Sequence, residues 1–279
     1  MENETSSMPL PVVYPVVPME TEQEAEPLHP HLPNINTGAL ILIIGKIKAG
    51  KGVLISNLLL NDTMFADRFA NVIVISPTIQ VDQTSRFLFQ KYQDSCFTEY
   101  NDGIVDAVKE NQLKKLKNGE NTSYCVVVDD MHGRFSKTGK RGRALINFST
   151  RFRHYSIRNK YPCALILSTQ RCKDVDPAMR VIATNVFISS SIKSSKEIAD
   201  IAEMYADAYG GMANFMTLWD QCRQVPYSFL HLYLDRTPVE AYITMERKIY
   251  PNGKEVLVEE PLTKESVDDG VEDGHTMDK

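Results

Sequence analysis

The sequence lacks the features of several common protein classes. Its five cysteines are odd in number and never spaced Cys-x-x-Cys, which argues against a disulfide framework and a zinc site. The longest apolar run, Ala39 to Gly45, falls far short of the roughly 18 residues that span a bilayer. The first residues show neither the basic nor the apolar region of a secretory signal. We therefore expect a soluble protein of a reducing compartment, with no membrane span.

Basic residues are missing at one end of the chain and scarce at the other. Residues 1–35 contain six acidic and no basic residues, and residues 255–279 contain nine acidic residues and two lysines. The body between them, 36–254, has 29 basic and 21 acidic residues, although the whole chain carries a net charge of −5. A basic body between acidic ends is typical of proteins that bind polyanions.

Composition divides the chain into three parts. Residues 1–35 contain seven of the 14 prolines, which favours an extended, disordered arm. Its segment Pro9–Pro18 is either a ligand for a partner's groove or simply part of the tail. Residues 36–250 alternate apolar and amphipathic segments and form the predicted domain, whereas residues 251–279 are predicted to be an acidic disordered tail. At 43% apolar residues, the chain has enough material for a core.

Short apolar runs alternate with longer amphipathic segments, a pattern typical of an α/β fold with a mostly parallel sheet flanked by helices. Five runs predict strands buried on both faces, and residues 228–234 predict a sixth strand at an edge. The predicted buried strands are 39–44, 71–76, 124–129, 163–168 and 185–189, and the predicted helices are 51–60, 103–117, 143–154 and 195–209.

A glycine-rich turn between the first strand and the first helix matches the G-x-x-x-x-G-K pattern of a Walker A loop. In this setting backbone amides and the helix N-terminus surround phosphate oxygens, and the lysine reaches the β and γ phosphates. The sequence therefore predicts an ATP site. The predicted nucleotide-binding residues are Gly45, Lys46, Ile47, Lys48, Ala49, Gly50, Lys51, Gly52 and Val53.

Gly52 departs from the pattern, because the residue after the lysine is normally a Ser or Thr whose hydroxyl binds Mg²⁺. The metal would then depend on nucleotide oxygens, water and an aspartate. Weak metal binding, or loss of hydrolysis, is therefore an open alternative.

Two polar strand ends supply the rest of the predicted site. Asp129 and Asp130 follow a buried strand, where ligands of open α/β sheets bind. Asp129 is predicted to hold Mg²⁺ and Asp130 to orient or deprotonate the attacking water, the alternative for Asp130 being a turn cap. Gln170 ends another strand and is predicted to sense the γ-phosphate, or else is an ordinary loop residue.

No acidic residue occurs between Met131 and Lys173, a span with eleven lysines and arginines. Five of these cations lie in the segment 133–143, which predicts sequence-independent contact with DNA phosphates. A solvated surface loop is the alternative. Arg151 and Arg153 are candidates for an arginine finger in a neighbouring subunit's site. Their alternative role is favourable charge at a helix C-terminus, and Arg180 is a rival finger.

These motifs together resemble the DNA-packaging ATPases of large DNA viruses, of the poxvirus type, within the HerA/FtsK superfamily. The resemblance spans about residues 36–235 and rests on six segments. It implies a RecA-like P-loop fold of the ASCE class and an oligomeric ring that hydrolyses ATP to move double-stranded DNA into a preformed capsid. It also implies a capsid or virion partner, and action in the host cytoplasm and in the virion. The segments are 45–51, 75–78, 126–130, 151–154, 168–170 and 179–185.

By position, the resemblance makes Lys51 the phosphate lysine and Asp129 the magnesium residue, with Asp130 and Gln170 as base and sensor. Gly52 breaks the pattern of the family. A nucleotide- and DNA-binding structural component with impaired hydrolysis is therefore the second hypothesis. A P-loop nucleotide kinase is disfavoured, because the sequence shows no arginine-rich lid.

Overall fold

The computed structural model of the protein describes residues 25–130 and 142–251 and a short strand at 255–256. The first 24 residues, most of the predicted DNA-contacting loop (131–141) and nearly all of the predicted acidic tail lie outside this description. No helix within the described ranges is long and apolar enough to cross a bilayer. The strands described are β1 Ala39–Ile44, β2 Asn71–Ile75, β3 Cys96–Phe97, β4 Tyr124–Val128, β5 Cys163–Thr169, β6 Asn185–Ser189, β7 Phe229–Tyr233, β8 Glu240–Ile243, β9 Arg247–Ile249 and β10 Glu255–Val256.

All these strands form one sheet, in the order β10-β9-β8-β7-β6-β1-β5-β4-β2-β3. The strands from β6 to β3 are parallel, which confirms the predicted α/β architecture. β5 lies between β1 and β4, as expected for an ATPase with an extra strand between the Walker strands. The predicted sixth strand forms as β7 but is not at an edge, because β8 pairs with its other side.

The central strands are buried on both faces, and their side chains alternate between two cores. In β1, Leu40, Leu42 and Ile44 pack on one face, and Ile41 and Ile43 pack on the other. Because successive side chains of a strand point to opposite faces of the sheet, each residue has a fixed side. This explains why the apolar runs predicted these strands to within one or two residues.

The helices cover both faces of the sheet. The first predicted helix is observed without change, and the second is longer by one residue at each end. The third predicted helix, 143–154, ends at Ser149. The hydroxyls of Ser149 and Thr150 donate to backbone carbonyls three residues earlier and so compete with the backbone hydrogen bonds that would continue the helix. The helices are α1 Lys51–Leu60, α2 Arg86–Tyr92, α3 Asp102–Asn118, α4 Arg143–Ser149, α5 Pro177–Val181, α6 Ser195–Tyr205 and α7 Met212–Arg223, with 3₁₀ turns at Gln83–Ser85, Gln93–Ser95, Phe152–Tyr155, Cys172–Asp174 and Ala206–Tyr209.

The last part of the predicted N-terminal arm packs on the domain. Leu32 is 4% exposed and Ile35 is 1% exposed, and both belong to the core under α1. Nδ1 of His31 lies 3.1 Å from the carbonyl oxygen of Met245. The last apolar residues of the predicted arm therefore contribute to the core of the domain, despite Pro33 between them.

His231 is buried in the middle of β7. Its ring stacks on Phe187, with centroids 4.1 Å apart, and its Nε2 lies 2.9 Å from Nδ2 of Asn185. Burial, together with the charges of His31 and Arg236, lowers the pKa of His231 to about 3. The folded protein therefore holds this ring neutral at any pH near neutrality.

This burial predicts a loss of stability in acid. Below the usual histidine pKa of 6.5 the unfolded chain binds a proton that the folded chain rejects, so the free energy of unfolding falls as the pH drops from 6.5 towards 3. For one such group the loss at pH 5 is about 2 kcal/mol relative to pH 7.5. Urea unfolding of the wild type and His231→Phe at both pH values measures it. Equal pH dependence in the two proteins would contradict it.

Candidate functional site

The strand register places the predicted site residues at one edge of the sheet. Ile44 of β1 pairs with Thr169 of β5, so Gly45 and Gln170 follow at the same level. Val128 of β4 pairs with Leu167, so Asp129 lies level with Ser168. The structure thus brings the loop, the aspartates and the glutamine together at the carboxyl ends of three adjacent strands.

The loop between β1 and α1 has the geometry of a phosphate cradle. Lys48 and Gly50 adopt left-handed conformations, with φ of 63° and 85°, and Gly50 is the N-cap of α1. A Cβ on Gly45 would lie 2.8 Å from Cβ of Ser189, so this position requires glycine. The neighbouring Lys46 and Ile47 are exposed. The loop therefore presents the N-terminus of α1 to solvent, as an anion site needs.

Lys51 is almost fully buried, with 8% of its surface exposed. Its Nζ donates to the carbonyl oxygens of Gly45, at 2.9 Å, and Lys46, at 3.1 Å. Burial lowers the pKa of Lys51, and the charges of Asp130 and Asp129 oppose this. The carboxylates thus help to hold the cation at the cradle.

Asp129 accepts a hydrogen bond from the Ser76 hydroxyl at 3.2 Å, and Ser76 follows β2 at the same sheet edge. Burial raises the pKa of Asp129, while the nearby Ser168 hydroxyl, Lys51 and Ser76 lower it. Ser168 Oγ is buried beside this carboxylate. A carboxylate beside such hydroxyls suits a hydrated Mg²⁺, which prefers oxygen ligands.

Asp130 and Gln170 are in direct contact. Nε2 of Gln170 donates to Oδ1 of Asp130 at 2.9 Å. Asp130 has a φ of 46°, in the left-handed region, a conformation that often occurs at functional sites. The predicted base and sensor therefore form one unit next to Lys51 and Asp129.

The short 3₁₀ helix Gln83–Ser85 covers Gly52. A Cβ on Gly52 would lie 3.0 Å from Oγ1 of Thr84 and 3.6 Å from Oδ2 of Asp82. The Thr84 hydroxyl donates to that same carboxylate oxygen at 2.6 Å. Burial raises the pKa of Asp82, but hydrogen bonds from Thr84 and Ser85 outweigh it and lower the pKa overall. A hydroxyl–carboxylate pair thus occupies the space beside the missing side chain.

The two candidate arginine fingers lie at the opposite edge of the sheet. The Arg153 side chain packs over Gly38, which precedes β1, and a Cβ there would lie 2.5 Å from Cγ of Arg153. Next to Arg151, the Phe152 carbonyl accepts from the hydroxyl of Tyr124, the first residue of β4. A strand of six residues separates this edge from the P-loop by about 20 Å. Neither arginine reaches the site of its own chain, and action on a neighbour's site stays a prediction.

Other polar groups at the site were not identified from the sequence. Ser76 and Ser168 are the last residues of two strands that the apolar runs predict. The alignment of these strands in a parallel sheet would therefore have placed both serines at the site. Nothing in the sequence indicates that Thr84 approaches Gly52, because 31 residues separate them. Arg171 follows Gln170 directly and is exposed at the edge that carries the site. A cavity of about 740 Å³ between Phe69 and Gln112 contains none of the predicted site residues.

A serine at position 52 tests the role of the neighbouring hydroxyl. We expect Gly52→Ser alone to bind Mg²⁺–ATP no more tightly than the wild type, because its Cβ would lie 3.0 Å from Oγ1 of Thr84. Gly52→Ser/Thr84→Ala should bind Mg²⁺–ATP more tightly than Gly52→Ala/Thr84→Ala, by about two- to tenfold, since one hydroxyl is worth about 0.5–1.5 kcal/mol. Calorimetric titration at several Mg²⁺ concentrations measures this. Equal affinities for the two double variants would show that position 52 does not face the metal.

The chain matches no protein-family model and no curated protein, but solved structures resemble it. The genome packaging NTPase B204 from Sulfolobus turreted icosahedral virus 2 in complex with AMP has 17% identity and a TM-score of 0.51, over 74% of this chain and 96% of that one. Its complex with ATP-gammaS has 18% identity and a TM-score of 0.50, over 74% and 97%. The DNA-packaging ATPase B204 from Sulfolobus Turreted Icosahedral Virus has 17% identity and a TM-score of 0.51, over 73% and 96%. The predicted resemblance is confirmed at the level of the fold, which is the α/β fold of P-loop NTPases.

Proposed function

We propose that the protein is a viral genome-packaging ATPase, which hydrolyses ATP to move double-stranded DNA into a preformed capsid. The observation that carries the proposal is the contact between Gln170 and Asp130 at the cradle edge. A protein that merely binds nucleotide has no need for a carboxylate held by an amide next to the phosphate lysine. The fold shared with viral packaging NTPases supports the same role.

The nucleotide would be held chiefly by its phosphates. Backbone amides of the loop between Lys46 and Gly52 and the positive end of α1 would surround them. Two of the three Nζ donors of Lys51 bind loop carbonyls within the described chain, which leaves one for a phosphate oxygen. This arrangement would fix the γ-phosphate towards β4 and β5.

The residues present also fit a magnesium ion. Asp129 would hold it, and the Asp82–Thr84 pair beside Gly52 offers further oxygen ligands. When bound with ATP, Mg²⁺ would neutralise charge on the β and γ phosphates.

Hydrolysis requires a base within hydrogen-bond reach of the attacking water. Asp130 is the candidate, and Gln170 holds one of its oxygens. The other carboxylate oxygen can then accept a proton from water in a fixed orientation. Gln170, placed between the base and the P-loop, would connect the presence of the γ-phosphate to the position of Asp130.

Translocation requires a grip on DNA and several subunits. The acid-free span supplies Arg143 and Arg171 in the described chain and the 131–141 loop outside it. Phosphate contacts of this kind are independent of sequence, as packaging demands. We propose a homo-oligomeric ring that docks on a capsid or virion component. It would act at the viral assembly site in the host cytoplasm and in the virion.

Turnover measurements test the enzyme. We expect Mg²⁺-dependent ATP hydrolysis that linear duplex DNA stimulates, in a particle whose mass corresponds to several subunits. Lys51→Ala should abolish ATP binding. Gln170→Ala should lower kcat about 100-fold, in the range of lost acid–base assistance, while the affinity for ATP changes little. Steady-state kinetics, calorimetry and light scattering measure these quantities.

The matched control is Gln93→Ala, which removes an exposed glutamine outside the site and should leave kcat unchanged. Wild-type turnover that survives Lys51→Ala would refute the site. A monomeric protein whose ATP turnover does not change when DNA is added would contradict the proposed DNA translocation.

One observation favours the second candidate, a nucleotide- and DNA-binding structural component with impaired hydrolysis. Gly52 removes a standard magnesium ligand, and the oxygens near it belong to a different segment. If that segment does not ligate the metal, ATP binds but turns over slowly. Tight ATP binding without turnover, with or without DNA, would identify this case.

Neutralising the basic loop tests the DNA contact. We expect Lys137→Ala/Lys140→Ala/Arg141→Ala to weaken DNA binding equally for all sequences. The slope of log affinity against log salt should flatten by up to about 3, since each lost phosphate contact contributes about 0.9. Lys109→Ala/Lys114→Ala/Lys117→Ala, three exposed cations of α3, is the control of equal charge. The same slope in both variants would place the DNA contact elsewhere.

A further inference from the structure

Tyr227 lies in an unusual backbone conformation. It has a φ of 58°, in the left-handed region, and 86% of its surface is exposed. A bulky side chain at positive φ is a strained exception. The Ser228 amide donates to the carbonyl of Val225 at 3.4 Å, which closes a turn with Pro226 and Tyr227 at its centre. Glycine or asparagine usually takes the third place of such a turn, so a tyrosine there indicates a function for its ring.

This turn adjoins the phosphate cradle. The carbonyl of Ser228 accepts from the amide of Ser190, which follows β6, at 2.9 Å. Two residues after Tyr227, the ring of Phe229 lies 3.8 Å from where a Cβ on Gly50 would be. Two residues of chain span at most about 7 Å. Tyr227 therefore belongs to the same short segment as Phe229, whose ring contacts the N-cap of α1.

The order of strands decides which part of a nucleotide lies there. The hydrolytic groups Asp130 and Gln170 follow β4 and β5, on one side of β1. A γ-phosphate directed towards them leaves the ribose and base on the other side of β1. That side is formed by β6 and β7, and the turn with Tyr227 leads into β7.

We propose that Tyr227 is the platform on which the nucleobase of bound ATP stacks, a proposal that rests on the nucleotide site proposed above. The ring offers an apolar π-face to solvent, and every base has a complementary face. Stacking alone does not distinguish bases by their hydrogen-bonding groups. The ligand class is therefore a nucleoside triphosphate, with the larger purines held best.

The test compares ATP with inorganic tripolyphosphate, which has the phosphates but no base. Tyr227→Asn removes the ring and suits the positive φ, so the turn is kept. We expect it to bind ATP about tenfold more weakly, in the range of one lost base stack, and to bind tripolyphosphate as the wild type does. Tyr227→Phe keeps the platform and should bind both as the wild type does.

The control is Tyr161→Asn, which removes a partly exposed tyrosine just before β5, at the opposite sheet edge. It should change neither affinity. A second readout is Tyr227→Trp, whose fluorescence should be quenched by ATP but not by tripolyphosphate.

The outcomes separate the two proposals. Wild-type protein that binds neither ATP nor tripolyphosphate would refute the nucleotide site itself. ATP binding that Tyr227→Asn leaves unchanged, with no quenching in Tyr227→Trp, would refute the platform alone. Equal losses of ATP and tripolyphosphate in Tyr227→Asn would also overturn it, since they would show that the turn shapes the cradle instead.

Discussion

The site depends on one constraint, the insertion of β5 between β1 and β4 in parallel register. Parallel strands end at the same edge, so three separate segments deliver polar residues to one place. The core sets this register, because a slip of one residue would move the apolar side chains of β5 to the wrong faces. Gln170 would then no longer contact Asp130. The alignment of the proposed catalytic groups is therefore maintained by the buried side chains of the sheet.

The charges at this edge suit the proposed triphosphate and its cation. Lys51 is buried beside Asp129 and Asp130, whose charges offset the cost of burying an ammonium. The three groups together leave one excess negative charge when all are ionised. A nucleotide adds several more negative charges, so cations must accompany it. The exposed Lys46 and Lys48 and a divalent ion next to Asp129 would meet that need.

Much of the fold and part of the site could be predicted from the sequence. Strands buried on both faces give continuous apolar runs, so β1 and β6 were located to the residue. The contact between Gln170 and Asp130 follows from strand order, which the resemblance implied. The antiparallel extension β8–β10 was missed, because its strands are short and lack an apolar run. The position of Arg153 could also be predicted, since a helix that connects two parallel strands ends near the start of the second strand, at the edge opposite the site.

Gly52 shows why a motif has to be weighed against its surroundings. In the sequence its missing hydroxyl indicates impaired metal chemistry. In the structure the 3₁₀ helix after β2 lies against it, and Thr84 Oγ1 is 3.0 Å from the place of its Cβ. A Cβ at position 52 would require the Thr84 side chain to move by a few tenths of an ångström, so the approach of the helix favours glycine there. The Thr84 hydroxyl is the ligand type that the motif normally supplies from position 52, and the Asp82 carboxylate beside it is an oxygen group of the kind that Mg²⁺ prefers. Gly52 therefore indicates that another segment supplies the ligand oxygens at least as strongly as it indicates lost hydrolysis.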